Sequence, residues 1–312
     1  MEIKPLIEQI FTLVLMALTG FAAGRTGLIN ENGNKAVSTI ALYISLPCAM
    51  VTSLQRPFNP QTAKALLLSL SAAVVIHLIF FGASILLGYG RHGITKGEQL
   101  SVLFNNAGNV VIPLVIGAMG EAYVLYAAPY MLVQNILLWS YGLMVITGDR
   151  SKAKPGNIIK TPAVIGVLIG LVLFLSRITL PGILGGAVSS MGSCLAPLCM
   201  LVIGGMLAAT DLKATFRNHA LYAVIFLRLI VFPLMAVACL WMIKAFIHRG
   251  NMTEILIVSL LCSIGPCSAS IPQLFQLHNH PEQGYVSAVT AVSTIFSVVT
   301  IPVIIALFMA LP

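Results

Sequence analysis

The chain has 312 residues, of which 58% are hydrophobic and only 8% are charged, and its formal net charge is +8. A soluble protein carries about three times that share of charged residues, so the composition excludes a soluble catalytic domain with a polar surface. The basic residues are scattered among short polar segments without an arginine-rich arm, which argues against a nucleic-acid partner. The composition is that of a polytopic membrane protein.

Apolar segments long enough to cross a membrane follow one another along the whole chain. A membrane-spanning helix needs about 20 mostly apolar residues. On that rule we predict ten spans, numbered 1 to 10, at residues 6–24, 34–54, 63–89, 97–118, 122–147, 159–178, 184–209, 216–247, 253–277 and 281–310. Span 1 is expected to be retained, because Glu8 interrupts the apolar region that a signal peptide would need.

The distribution of basic residues predicts the orientation. With the N-terminus outside, ten Lys and Arg residues fall in inner loops and six in outer loops, as the positive-inside rule expects. The most basic loop, Asp149 to Lys160, would then be cytoplasmic. We therefore predict a multi-pass protein of the plasma membrane (the inner membrane in a bacterium) with both termini outside.

Two predicted spans contain residues that interrupt a helix. Span 4 contains NNAGNVVIP at Asn105–Pro113, and span 9 contains GPCSASIP at Gly265–Pro272. Proline has no N–H and collides with the carbonyl four residues earlier, while glycine leaves helical geometry at little steric cost. Broken backbone at membrane depth persists only where protein or a water-filled cavity satisfies it. Two such breaks in corresponding halves of a chain indicate the binding site of a transporter.

The two halves of the chain are weakly similar, and the similar segments occur in the same order. The Ile-Pro pairs of the two breaks, at 112–113 and 271–272, are 159 residues apart. Each half has five predicted spans, so the second half must enter the membrane from the opposite side. The sequence thus predicts an all-α fold of two inverted five-helix repeats in which helices 4 and 9 are broken. The repeats are residues 1–147 and 159–312, joined by a cytoplasmic linker at 148–158.

The broken spans also carry a family resemblance. The segment NAGNVVIP at 106–113 is similar to the Asn-x-Gly-Asn-x-Gly-x-Pro pattern in the fourth span of the auxin efflux carrier family, with Val111 in place of the second glycine. The segment GPCSASIP, together with the Ser-Thr pair and Pro302 of the last span, also resembles this family. Its members include plant PIN auxin exporters and bacterial malonate-type carriers. The likeness covers essentially the whole chain.

The resemblance implies an architecture and a mechanism. It implies a homodimer of ten-helix protomers in which spans 1, 2, 6 and 7 form a scaffold. Spans 3–5 and 8–10 would form a moving transport domain. Substrate would bind beside the crossing of helices 4 and 9 near the bilayer centre, and an elevator-type movement would alternate access to it.

The chemistry expected at the crossing suits an anion. Each second half-helix, beginning near Pro113 or Pro272, would direct its N-terminus, with about half a positive charge, at the midplane. Neutral amides and a hydroxyl surround these ends, and no Asp or Glu lies near either break. We therefore predict a small carboxylate as substrate. The predicted substrate-binding residues are Asn105, Asn106, Gly108, Asn109, Pro113, Gln134, Asn135, Pro266, Ser268, Pro272 and Thr294.

Two further residues inside spans are candidates for an anion or proton role. An intramembrane arginine is costly, and the sequence leaves open whether Arg228 attracts the substrate, pairs with carbonyl groups or extends to a membrane interface. His77 could couple transport to protons, although a hydrogen-bonded structural histidine is the favoured interpretation.

The sequence predicts a secondary active or facilitative transporter of a small organic anion and not an enzyme. No catalytic set, such as paired aspartates or a Ser-His dyad, lies within the spans. Two alternatives remain open: a ligand-binding membrane receptor or sensor, and a sodium-coupled organic anion symporter. No cofactor or metal is expected, since His278, His280 and Glu282 provide only two loop histidines and one carboxylate as metal ligands. The expected partners are the carboxylate, the lipid bilayer and a second copy of the chain.

Overall fold

The fold is helical throughout the part of the chain that can be described. The computed structural model describes residues 3–55, 60–88, 94–149, 156, 159–209, 211, 217–246, 252–278 and 280–311. Within these residues the regular elements are helices and one isolated antiparallel β-bridge. The predicted linker at 148–158 lies outside the described residues except for Gly148, Asp149 and Gly156.

Twelve helices are numbered in chain order over the described ranges. The first half contains α1 Ile3–Arg25, α2 Glu31–Ser53, α3 Pro60–Gly88, α4 Lys96–Leu103, α5 Ile112–Met119 and α6 Val124–Thr147. The second half contains α7 Pro162–Leu175, α8 Gly182–Ala209, α9 His219–Ala245, α10 Met252–Ile264, α11 Ser270–Leu277 and α12 Gln283–Ala310. Single π-helical turns lie within α2, α6 and α9.

The helices have the length and composition of membrane-spanning segments. Helices α2, α6, α8, α9, α12 and nearly all of α3 are long and apolar enough to cross a bilayer, and α7, α10 and part of α1 are shorter apolar helices. Each predicted span contains a helix, and spans 4 and 9 are each divided into two. The protein is therefore an all-helical, multi-pass integral membrane protein. The count of ten crossings and the inversion of the repeats stay predictions.

Helices α1, α2, α7 and α8 pack against each other through glycine. A Cβ at Gly204 of α8 would lie 2.0 Å from the carbonyl oxygen of Ala17 in α1, and one at Gly20 would lie 2.4 Å from that of Leu201. A Cβ at Gly166 of α7 would lie 2.6 Å from Cα of Pro47 in α2. Backbones in direct contact need glycine at these positions, and small residues are the usual means of close helix packing in membranes.

The remaining helices surround the two divided spans. Helix α3 packs on α6 and α10, while α12 packs on α4, α10 and α11. The largest side chains without solvent exposure, Arg228, Phe80 and Phe104 among them, lie in this part of the core. The interior is therefore built around the points where spans 4 and 9 are divided.

Two hydrogen-bonded contacts, which we call the end clamps, attach the beginnings of the divided spans to neighbouring segments. In the first, Thr95 Oγ1 donates to Glu282 Oε2 over 2.6 Å, and the N–H of Gly97 donates to the same oxygen over 2.9 Å. In the second, the hydroxyl of Tyr123 donates to Glu254 Oε2. This bond to a carboxylate, helped by desolvation, raises the pKa of Tyr123 to about 12. Each clamp joins one half of the chain to the other.

Candidate functional site

The two divided spans cross each other through their backbones. Asn105 and Cys267 form an antiparallel β-bridge. The N–H of Asn106 donates to the carbonyl of Pro266 over 2.8 Å, and the N–H of Ser268 donates to that of Phe104 over 3.0 Å. Backbone groups that a continuous helix would have paired within one span are thus paired between spans, as buried N–H and C=O groups require. We call this region the crossing.

The first break lies earlier in span 4 than the proline suggested. The second half of the span begins with a π-helical turn, Ala107–Val111, which continues as α5 through Pro113. The carbonyl of Asn106 accepts from the N–H groups of Val110 and Val111, over 3.2 and 3.4 Å. Helix α5 thus begins beside Pro113, as expected, but the π-helical turn before it already belongs to the second half of the span. In span 9 the expectation holds, because α11 begins at Ser270 with Pro272 in its first turn.

Polar side chains satisfy the carbonyl groups that the breaks leave without a helical partner. Pro266 has no N–H for the carbonyl of Cys262, and the amide Nδ2 of Asn105 donates to that carbonyl instead. The carbonyl of Asn105 accepts from Gln134 Nε2 over 2.8 Å. The carbonyl of Ser268, which Pro272 cannot use, accepts from the N–H of Ile271 over 3.2 Å and from Thr290 Oγ1 over 3.4 Å. Much of the predicted polar site thus stabilises the broken backbone.

Arg228 contributes three more of these bonds, and its side chain has no solvent exposure. Nε donates to the carbonyl of Gly265 over 2.9 Å, Nη1 to that of Val102 over 3.2 Å, and Nη2 to that of Ser263. The guanidinium carbon lies 5.6 Å from the ring centroid of Phe80. Of the three roles that the sequence left open, the contacts show pairing with carbonyl groups.

Two buried oxygen atoms at the crossing have no hydrogen-bond donor among the residues that the structure describes. They are Oδ1 of Asn105 and Oε1 of Gln134, whose residues are 0% and 7% exposed. The hydroxyl of Tyr130 lies 3.4 Å from Nδ2 of Asn105. Sequence reasoning did not select Tyr130, since a tyrosine within an apolar span is an ordinary core residue. An unsatisfied buried acceptor is costly, so these oxygens mark where the crossing can accept a further donor.

The other predicted site residues divide between the crossing and its surroundings. Asn106 and Pro266 are buried at the crossing, and Pro113 is buried in the first turn of α5. Ser268 Oγ accepts from the N–H of Ser270 at the start of α11. A Cβ at Gly108 would lie 3.1 Å from Met131 Cε, so the turn packs closely on α6. The side chain of Asn109 lies outside the described residues.

Three predicted residues have their hydrogen bonds within their own helices. Asn135 Nδ2 donates to the carbonyl of Met131, and Thr294 Oγ1 donates to that of Thr290, each over 2.8 Å. The Nδ1 atom of buried His77 lies 2.8 Å from the carbonyl of Ala73. The ring of His77 packs on Tyr130 with centroids 4.4 Å apart, so it belongs to the buried shell around the crossing.

A cavity of about 680 Å³ extends beside α11. It lies between α1, α2 and α8 on one side and α11 and α12 on the other, and its lining includes Pro272, Asn34, Lys35, Ser38, Gln273 and Ser287. Gln273 Nε2 donates to Ser38 Oγ across it. Of these lining residues, sequence reasoning selected Pro272 and missed the polar ones. The available signals were the polar segment ENGNK at the start of α2 and the glutamine directly after Pro272.

A second cavity of about 340 Å³ is apolar and lies between α1 and α8 on one side and α5 and α12 on the other. Its lining includes Thr294, Val110, Leu114 and Met200. Both cavities therefore separate the same two groups of helices.

Comparison with known families assigns the chain to one family. The family described as membrane transport proteins matches residues 5–158 and again residues 154–305. The chain belongs to this family. The predicted resemblance to auxin efflux carriers is thereby confirmed, and the two successive matches cover both halves of the chain. A search of curated proteins finds no match to it. The protein is thus a membrane transport protein, a class of transporters and not of enzymes.

Proposed function

We propose that this membrane transport protein carries a small organic anion with a carboxylate group, by an elevator-type movement that exposes the crossing alternately to the two sides of the membrane. The observation that carries the proposal is the backbone pairing of Asn105 and Cys267, which joins two broken spans inside the core. Broken helices that meet in this way place their ends and freed polar groups at one point. We further propose a homodimer in the plasma membrane, the inner membrane in a bacterium.

Contacts between loops support ten crossings with both termini outside. The N–H of Leu180 donates to Oε1 of Gln55 over 2.8 Å, and these residues lie in loops predicted outside. Lys244 Nζ, near another predicted outer loop, donates to the carbonyl of Leu311 near the C-terminus over 2.8 Å. The clamp between Thr95 and Glu282 joins a loop predicted inside to the inner end of predicted span 10. Each contact connects segments that this topology places on the same side.

The end clamps support the inverted repeat. Thr95 and Glu254 are 159 residues apart, and so are Tyr123 and Glu282. This is the separation of the two Ile-Pro pairs. The two clamps are therefore equivalent positions of the two halves with the donor and the carboxylate exchanged. An inverted repeat places such equivalent contacts at opposite membrane faces.

The packing supports a division into a scaffold and a transport domain. Glycine-mediated contacts join α1, α2, α7 and α8, which contain spans 1, 2, 6 and 7. The end clamps and the crossing join helices of spans 4, 5, 9 and 10. The larger cavity lies between the two groups and is lined by residues near predicted inner loops, such as Lys35 and Gln283. We therefore propose an inward-open state in which this cavity leads to the crossing.

Charge at the crossing supports an anionic substrate. Both second half-helices begin beside it and contribute about half a positive charge each. The sequence has no Asp or Glu from residue 99 to 120 or from 255 to 281, while Arg228 adds a positive charge. Asn105 Oδ1 and Gln134 Oε1 would accept a hydrogen bond from a hydroxyl of the substrate or from a water between them.

Ligand-dependent thermal stabilisation of the purified protein tests the proposal. A ligand that binds the folded state raises the unfolding temperature by mass action. We expect at least one of acetate, pyruvate, malonate and succinate to stabilise wild type, and to stabilise Asn109→Ala and Ser268→Ala much less. Transport of that carboxylate into liposomes distinguishes a carrier from a receptor or sensor. Stabilisation only by neutral or cationic solutes would overturn the anion assignment.

A further inference from the structure

Arg228 lies at the C-terminal ends of α4 and α10, the first halves of the two divided spans. Val102 lies in the last turn of α4, and Ser263 and Gly265 lie at the end of α10 and just beyond it. All three carbonyl groups accept from the guanidinium. One side chain, reaching from α9, therefore binds the C-terminal ends of the first halves of both spans.

These carbonyl groups are available because the breaks have redirected their helical partners. In a continuous helix the carbonyl of Val102 would pair with the N–H of Asn106, which here donates to Pro266. The carbonyl of Ser263 would pair with the N–H of Cys267, which here donates to Ser293 Oγ over 3.1 Å. The two carbonyls would be unsatisfied in the core without the arginine, and an unpaired buried carbonyl is unfavourable.

The charge of Arg228 matches the charge of the two helix ends. The C-terminus of a helix carries about half a negative charge, so the two ends together carry about one. A guanidinium is always protonated and carries one positive charge in a planar set of donors. It offsets the negative ends, and the positive N-terminal ends of the second halves then dominate the charge next to the crossing. An anion can bind there without a second ligand of opposite charge.

Freed carbonyl groups at half-helix ends are also the groups with which ion-coupled transporters bind Na⁺. In this protein the same kind of oxygen set is already bound by a residue of the chain. We infer that Arg228 is a covalently attached counter-cation, and that the protein therefore carries its anionic substrate without binding Na⁺ or another coupling metal cation. This inference rests on the proposed transport of a carboxylate. It assigns Arg228 as a positioning residue that acts through the helix ends.

The first test uses wild-type protein in liposomes. Counterflow of the carboxylate selected by thermal stabilisation is measured with NaCl, KCl or choline chloride at equal concentration on both sides. We expect the three initial rates to agree within about twofold, since each 1.4 kcal/mol of coupling would change an equilibrium tenfold. Counterflow that requires Na⁺ would overturn the inference and leave the proposed function intact. Absence of carboxylate counterflow in all three salts would instead overturn the proposed function.

The second test removes the guanidinium. Arg228→Ala leaves three buried carbonyl groups without a donor, and we expect counterflow in choline chloride to fall roughly tenfold or more. Methylguanidinium at low millimolar concentration, or Na⁺, should restore part of the rate in Arg228→Ala and leave wild type unchanged. Arg228→Lys should retain an intermediate rate, because an ammonium group has three donors but no planar fork. Lys64→Gln, which removes an exposed charge from α3, is the matched control.

The dependence of transport on added cations distinguishes a purely structural role of Arg228 from a role as counter-cation. If Arg228 only held the helices together, its loss would lower stability, but the variant would not become dependent on added cations. Arg228→Ala that transports in choline chloride at the wild-type rate would overturn the inference. If this variant cannot be purified in folded form, counterflow of wild type and Arg228→Lys in the three salts tests the inference instead. Stabilisation of wild type by Na⁺ alone in the thermal assay would count against the inference.

Discussion

Polar side chains at the crossing donate hydrogen bonds to backbone carbonyl groups. Asn105 stands out in the sequence because an amide in an apolar span is unusual, and it was predicted to bind substrate. Its Nδ2 donates to the carbonyl of Cys262, which Pro266 leaves without a partner, and its own carbonyl accepts from Gln134. The residue therefore stabilises the break, while its Oδ1 accepts no hydrogen bond from any residue that the structure describes. A structural role and a binding role are compatible because they use different atoms.

We expect Asn105→Leu to destabilise the protein by about 1–3 kcal/mol, because it leaves the buried carbonyl of Cys262 without a donor. Asn135→Leu is the matched control, since its amide donates to the carbonyl of Met131 in the preceding turn of its own helix. Thermal unfolding in detergent measures both variants. An equal loss of stability in the two would show that the bond to Cys262 contributes little.

Glycine positions give a second prediction at the scale of the residue. Gly204→Ala would bring a Cβ to 2.0 Å from the carbonyl oxygen of Ala17, so α1 and α8 must separate. We expect a loss of about 1–3 kcal/mol, as for other overpacked sites. Gly186→Ala, in the same helix with nothing within 4 Å of its Cβ, should gain up to about 1 kcal/mol from helix propensity. Unfolding temperatures that fall equally would contradict close backbone packing.

At the scale of the element, the end clamps connect helices that are distant in sequence. Glu282 accepts two bonds from the first turn of α4 and its N-terminal cap, where a carboxylate also interacts favourably with the helix dipole. At the equivalent position of the other half, Tyr123 donates to Glu254 beside the first turn of α10. The same arrangement at both breaks indicates that a divided helix needs an attachment at its outer end as well as at the crossing.

The clamp between Tyr123 and Glu254 predicts coupled mutational effects. We expect Tyr123→Phe and Glu254→Gln each to lower the unfolding temperature and the double variant to lower it by less than the sum, since both remove one bond. The pKa of Tyr123 is raised to about 12 because its protonated hydroxyl donates to Glu254. This bond stabilises the folded protein fully below pH 10, and the stabilisation is lost as pH rises from 10 to 12. The difference between wild type and Tyr123→Phe should therefore shrink over that range. Additive effects would show that the contact is not formed in solution.

At the scale of the whole molecule, two groups of helices meet across two cavities. The proposed elevator movement requires that the contact between Ser38 and Gln273 breaks in every cycle, because the two residues lie on opposite sides of the larger cavity. The end clamps, in contrast, lie within the proposed transport domain. The proposed movement thus predicts which pairs of residues stay together during transport and which pairs separate.

Crosslinking distinguishes the two kinds of pair. In a background with Cys48 and Cys194 replaced by alanine, a short bis-maleimide between Ser38→Cys and Gln273→Cys should stop transport in liposomes. The same reagent between Thr95→Cys and Glu282→Cys should leave transport unchanged, since both residues would move as one body. Transport that continues in the first crosslinked protein would contradict the proposed movement.

The sequence by itself determined the membrane class, the family and the two spans that contain the breaks. These properties depend on composition, on apolar length and on proline and glycine, which act locally along the chain. It also indicated which spans contain polar residues, such as Asn105 and Gln134. It could not distinguish Gln134, which bonds at the crossing, from Asn135, which bonds within its own helix.

Only the tertiary structure decided which groups satisfy the broken backbone. Arg228 lies 126 residues from Val102 and 35 from Ser263, and no local pattern connects these positions. The cavity beside Gln273 and Ser38 likewise forms only where distant helices pack. The physical reason is that a break frees hydrogen-bonding groups, while the partners that satisfy them are those that the fold brings near.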